Sequence, residues 1–209
     1  MDDKWKVGRV IARPYIGTKE GHFTRTSNRH DYALAPFSKT ALDSLKDAGL
    51  DVIGVGKIPD IFVDQGITRK IKTVSNEDGM NKTIELASDN FNGLAFINLV
   101  DFDAVYGHRR NAAGYGKAIE EFDVQLGELI NELKNDDLLM VTADHGNDPT
   151  FRGTDHTREQ VPLIIYSKQF NEMKVLNDSN SFGIIGSTIC DNFNVKYNGI
   201  GSSILELLK

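Results

Sequence analysis

Between residues 137 and 166 the chain reads DLLMVTADHGNDPTFRGTDHTREQVPLIIY. An apolar run from Leu138 to Ala143 stops at Asp144-His145-Gly146, and a second, Val161 to Tyr166, follows a loop carrying His156. Short apolar runs bounded by turn formers predict buried strands. Open α/β sheets bind their ligands beyond the carboxyl ends of such strands. An acid and two histidines at that end offer carboxylate and neutral imidazole, the donors that a borderline divalent metal takes.

Upstream, helical and strand periods alternate. Ser38 is placed to cap a helix over KTALDSLKDAG, in which Ala41, Leu42, Leu45 and Ala48 recur at helical spacing and Gly49 ends the run. DVIGVG predicts a strand, and IPDIFVDQGI a second strand or a connection. Asp78 can cap GMNKTIELASDN, and GLAFINLVD then reads as a strand buried on both faces. Asn111 opens a long amphipathic helix whose apolar face is Ala118, Ile119, Phe122, Leu126, Leu129, Ile130 and Leu133. Downstream, GIIGSTICDNF and SSILELL predict two closing helices. Alternation at this spacing predicts an α/β fold, a largely parallel sheet with helices on both faces.

Residues 1–36 read differently. VGRVIARPYIG is strand-like, and HFTRTSNRHDYALAP sets Arg25, Arg29, His30 and Asp31 among turn formers without helical periodicity. Residues 1–36 are therefore expected to belong to an accessory lobe, and 37–209 to the core. Arg9, Arg13, Arg25 and Arg29 fit either a phosphate-binding patch or an ordinary solvated surface.

Composition narrows the function classes. A net charge of −6 and a pI near 5.4 argue against a nucleic-acid surface. The single Cys190 rules out an internal disulfide, fits a reducing compartment, and is expected to serve packing. The opening MDDKWKVGRV has no signal-peptide core. No apolar run approaches the roughly 18 residues of a membrane span, so a soluble, cytoplasmic protein is expected.

A second predicted strand end repeats the pattern of the first. NLVDFDAVYGHRR puts Asp101 and Asp103 just past the strand and His108 five residues after Asp103. A single histidine in a loop is commonly a surface residue. Three, each beside an acid at the carboxyl end of a predicted strand, make a metal-binding constellation. Spacing alone leaves Asp101 and Asp103 as rivals.

This order of motifs resembles the alkaline phosphatase superfamily of two-metal phosphoryl-transfer enzymes. Its details, NLVDFDAVYGHRRN, TADHGNDPTFRGTDHTREQVPL and, upstream, RVIARPYIG with FTRTSNRHDYAL, are similar to the bacterial phosphopentomutase family over essentially all 209 residues. The resemblance implies an alkaline-phosphatase-like core with the end of an α+β cap domain before it. It implies one Mn²⁺ on Asp103, His108 and His156 and a second on Asp144 and His145, and it prefers Asp103 to Asp101. Arg9, the backbone of Ile11 and, more weakly, Lys57 would position a sugar phosphate. The implied reaction interconverts α-ribose 1-phosphate, or the deoxy sugar, with the 5-phosphate through a phosphothreonine. Arg29, His30 and Asp31 receive no role.

Two family features have no matching segment: the acidic ligand ending the first core strand and the threonine nucleophile. Thr142, Thr154 and Thr157 match other motif positions. The chain is therefore expected to be the C-terminal part of such an enzyme and inactive alone. Self-association through an uncovered core edge, or complementation by an N-terminal half, would follow. Alternatives are a cofactor-independent phosphoglycerate mutase or phosphatase of the same superfamily, and a non-catalytic metal-binding fragment.

Overall fold

A computed structural model describes residues 7–26 and 30–208. Arg29 and the first six residues lie outside them, and Arg25, His30 and Asp31 enter only through their backbone. The first part of the chain forms two antiparallel ribbons. β1 (Arg9–Ala12) and β4 (His30–Ala33) pair from Arg9↔Ala33 to Ala12↔His30, and β2 (Tyr15–Ile16) pairs with β3 (Thr24–Arg25). The strand-and-loop character expected there is what the chain adopts.

The core follows. α1 (Ala41–Asp47) leads into β5 (Asp51–Val55), the short α2 (Ile58–Ile61) and β6 (Arg69–Ile71). Next come α3 (Asn76–Ser88), β7 (Gly93–Ile97), a π-helix (Phe102–Gly107) and α4 (Ala112–Glu132). β8 (Leu139–Thr142), β9 (Leu163–Tyr166), α5 (Gly183–Asn192) and a single 3-10 turn (Leu205–Leu207) close the chain. β5 sits at the centre of a three-stranded parallel sheet, in the order β6-β5-β7.

The alternation along β5 explains why helices cover both faces. Val52 packs into a cluster with Leu42 and Leu45 of α1 and Cys190 of α5. Ile53 and Val55 point the other way, towards Leu86 of α3. Successive strand side chains face opposite sides, so a run that is apolar at every position must be covered twice. Gly54 shares the Val52 face, where a Cβ would come within 3.0 Å of the Pro59 ring. Cys190 is buried, and that burial raises its thiol pKa. It serves packing, as expected.

Several local readings shift. Thr40, not Ser38, caps α1: its hydroxyl accepts from Asp43 N–H while the Asp43 carboxylate accepts from Thr40 N–H at 2.7 Å, a reciprocal capping box. Ser75, not Asp78, caps α3; Asp78 sits three residues on and accepts from Val74 N–H. IPDIFVDQGI forms α2 and a turn, and the next strand is the polar Arg69–Ile71. That edge strand escapes a reading by hydrophobicity because it exposes Arg69 and Lys70. β8 and β9 pair antiparallel with each other, from Leu139↔Tyr166 to Thr142↔Leu163, and do not extend the parallel sheet. On α4, Ala118 and Leu129 are buried as expected, whereas Ile119 is exposed. SSILELL makes only the 3-10 turn. No helix among the described residues is long and apolar enough to cross a membrane.

Candidate metal centre

Four residues separate the end of β7 from the π-helix, and the winding of that helix matters. In an α-helix, residues five apart point about 140° away from each other. Here His108 N–H donates to the carbonyl of Asp103, five residues back, at 2.9 Å. The wider turn brings both side chains to one side, so the Asp-x₄-His spacing becomes a contact. Asp103 Oδ2 lies 3.4 Å from His108 Nε2. Phe102 anchors the turn on α4, with its ring 5.6 Å from Tyr115 and edge-on to Phe122 at 6.1 Å.

Asp101 has another task. Its Oδ2 accepts from Asn76 N–H and its own N–H donates to Asn76 Oδ1, both at 2.8 Å. That exchange ties the end of β7 to the first turn of α3 and commits one oxygen of the rival carboxylate. Asp103 is the acid that faces the histidines.

The other half comes from the loop between β8 and β9. Antiparallel pairing of these strands puts the end of β8 beside the start of β9, so Asp144, His145 and His156 belong to one mouth. A bridge closes the loop: Thr157 N–H donates to Gly146 O at 3.0 Å, and Asp148 N–H to Thr157 Oγ1 at 2.7 Å. Asp103 Oδ1 then lies 3.2 Å from His156 Nε2, and the Nε2 atoms of His156 and His108 are 3.2 Å apart. The His145 ring stacks on His156 with centroids 3.7 Å apart. One donor atom each from Asp103, His145 and His156 fall within 4.8 Å of one another.

Hydrogen bonds to the far side of two rings select their tautomers. His108 Nδ1 faces Thr154 O at 2.5 Å, and His145 Nδ1 faces Gly146 O at 3.1 Å. A carbonyl only accepts, so Nδ1 carries the proton and Nε2 of the neutral ring keeps its lone pair for the mouth. Metal-binding histidines are commonly oriented this way. Asp103 Oδ1 also accepts from Asn147 Nδ2 at 2.7 Å, and Asn147 Oδ1 accepts from Arg110 at 2.7 Å. Burial, and then the negative charge of Asp103, raise the pKa of the Tyr115 phenol and keep it protonated. The Thr150 hydroxyl, its backbone N–H and the charge of Arg110 hold Asp148 below the usual carboxylate range.

The sequence-predicted residues thus separate. Asp103, His108 and His156 converge, and His145 joins them. Asp144 stands 3.6 Å from His145 Nε2, but its side chain is 78% exposed. Arg9 and Ile11 lie on β1 and Lys57 immediately precedes α2; the contacts just described involve none of these three. Thr142 Oγ1 donates to Pro162 O, and Thr157 Oγ1 donates to Glu159. Asn147 and Arg110 were not singled out from sequence. Each lies inside a quoted motif, but an amide and a guanidinium reveal a partner only in three dimensions. Two surface cavities, about 380 Å³ beside α1 and about 160 Å³ between α3 and α4, are not lined by these histidines.

Comparison with known proteins agrees with this chemistry. Residues 12–197 match the metalloenzyme superfamily. Curated relatives named phosphopentomutase, from Agathobacter rectalis and Clostridium botulinum, are each 58% identical over 210 residues, and one from Clostridium tetani is 57% identical. Each alignment covers 100% of this chain and 53% of the relative. The chain spans about half the length of the curated relatives it matches.

Proposed function

From the premise that this chain belongs to the metalloenzyme superfamily, we propose that it is the C-terminal part of a phosphopentomutase. The observation that carries the reading is the Asp103 carboxylate set between the Nε2 atoms of His108 and His156, at 3.4 and 3.2 Å. One carboxylate and imidazoles with outward lone pairs suit Mn²⁺ or Zn²⁺, and we assign Mn²⁺. Asp103, His108 and His156 would hold one ion, and Asp144 with His145 would contribute to a second. Paired divalent ions stabilise the attacking and leaving oxygens of an in-line phosphoryl displacement.

The chain's own residues supply orientation. Backbone carbonyls fix the rings of His108 and His145, and Asn147 fixes Asp103. Arg9, the Ile11 backbone and Lys57 would position the sugar phosphate. The substrate pair is α-ribose 1-phosphate, or the deoxy sugar, and the 5-phosphate. A threonine nucleophile and a further acidic ligand would complete the site from the part of the relatives' length that this chain does not span. β7 ends the parallel sheet of the described residues. Strand edges are sites of association, and that edge would take the complementing polypeptide or a second copy.

The test is Mn²⁺ stoichiometry by calorimetry and elemental analysis on this chain and on His108→Ala. We expect one Mn²⁺ per chain, lost in the variant. No binding, or binding that survives the substitution, would sink the ligand assignment. Turnover of ribose 1-phosphate by this chain alone, above a His156→Ala control, would refute the claim that it lacks its nucleophile.

A further inference from the structure

Arg110 follows the π-helix in the left-handed region, with φ 52°, a conformation uncommon for a residue with a side chain. All three nitrogens of its guanidinium donate. Nε donates to Gly153 O at 2.5 Å, and one terminal nitrogen to Asp155 O at 2.6 Å. The other donates to Asn147 Oδ1 at 2.7 Å, Asp148 O at 2.8 Å and Gly107 O at 3.1 Å. Four of these five acceptors are main-chain carbonyls, and four lie in the segment 147–155. A cation whose three nitrogens all donate to neutral oxygens, four of them main-chain, is holding backbone.

The segment it holds leads to every residue of the centre. Gly153 and Asp155 flank Thr154, whose carbonyl accepts from His108, and Asp155 precedes His156. Asn147, 8% exposed, passes the contact on to Asp103. The fit is close, because a Cβ on Gly107 would come within 2.5 Å of Asn147 Nδ2.

We propose that Arg110 is the positioning residue of the metal centre: its guanidinium fastens the loop 147–155 to the end of the π-helix, and through Asn147 and Thr154 it orients Asp103 and His108. The proposal rests on the reading of Asp103, His108 and His156 as metal ligands. Nothing but an Arg fork reaches these acceptors together; a lysine ammonium is a single point.

The test uses Co²⁺ as a visible probe, titrated into the full chain as wild type, Arg110→Ala, Arg110→Lys and Asn147→Ala, with circular dichroism to check folding. Loss of an outer-shell partner typically weakens metal binding about 10–100-fold. We expect that loss and a shifted visible band in Arg110→Ala, no recovery in Arg110→Lys, and partial recovery of the band when methylguanidinium is added to Arg110→Ala. Folded Arg110→Ala with wild-type affinity and spectrum overturns the proposal and leaves the ligand assignment standing. Wild type that binds no Co²⁺ overturns the ligand assignment, and the proposal with it. Should Arg110→Ala fail to fold, Asn147→Ala decides: an unchanged band refutes the relay, and a shifted, weakened one supports it.

Discussion

The two halves of the core are held together by different physics. From Leu42 to Leu86, nine hydrophobic side chains and Pro59 are buried, among them Leu45, Val52 and Val55 at 0% exposure. From Leu139 to Phe182 the buried residues are Asn147 and Ser167, both polar. Around β5, stability comes from apolar area withdrawn from water, a term that needs no particular geometry. Around the histidines, order comes from hydrogen bonds, each worth little net and each costly to leave unmade. A region built the second way can be re-aimed by a ligand, and it depends on every partner being present.

The largest effect that would sharpen this contrast is Leu45→Ala. Truncating a fully buried leucine costs about 2–5 kcal/mol, so urea unfolding should shift strongly, while the folded protein should keep its metal affinity. A parallel loss of affinity would show that the two regions are not separable. Gly107→Ala reverses the expectation. The new methyl meets Asn147 and the Phe102 carbonyl, and overpacking costs about 1–3 kcal/mol. Hydrogen exchange should quicken in the 147–155 loop and stay slow in β5. Exchange quickening equally in both would break the comparison.

A smaller effect is expected at the helix caps. Thr40→Ala removes one side of the capping box and should cost about 1 kcal/mol. The same box titrates. Burial raises the Asp43 pKa, but hydrogen bonds from Gln65 and Thr40 outweigh it and leave it below the ordinary aspartate value of 3.8; Asp78, bonded by Lys82 and Val74 N–H, is lowered too. A carboxylate whose folded pKa is depressed adds stability above its unfolded pKa and loses it as pH falls through the folded value. Unfolding followed from pH 7 to below 3.8 should therefore show the core weakening only at the acid end. Loss already near neutrality would point to groups other than these carboxylates.

The same contrast explains how much was legible beforehand. The strand at β5 and the helices α1, α3 and α4 follow from apolar periodicity, because burial on a repeating geometry writes a repeating sequence. The caps were displaced by two or three residues because Ser38, Thr40, Ser75 and Asp78 are all competent, and only the backbone conformation of Thr40 and Ser75 selects them. The strand Arg69–Ile71 was missed because an edge strand with exposed Arg and Lys lacks the apolar signature. His108 and His156 stand out in the sequence through their place beside acids at strand ends, whereas Asp103 is preferred to Asp101 only through the family resemblance. The spacing did not say that a π-turn would bring Asp103 onto His108, nor that His145 would stack on His156.

What the sequence alone determined was the alternation of strands and helices and the kind of donor at the mouth, since both depend on residue type and local period. Tertiary structure decided the rest: which of Asp101 and Asp103 faces the histidines, the antiparallel turn of β8 and β9, and the Arg110–Asn147–Asp103 relay. These depend on contacts 21 to 46 residues apart. No local pattern encodes them, because a hydrogen bond between distant segments is fixed only once packing has brought the segments together.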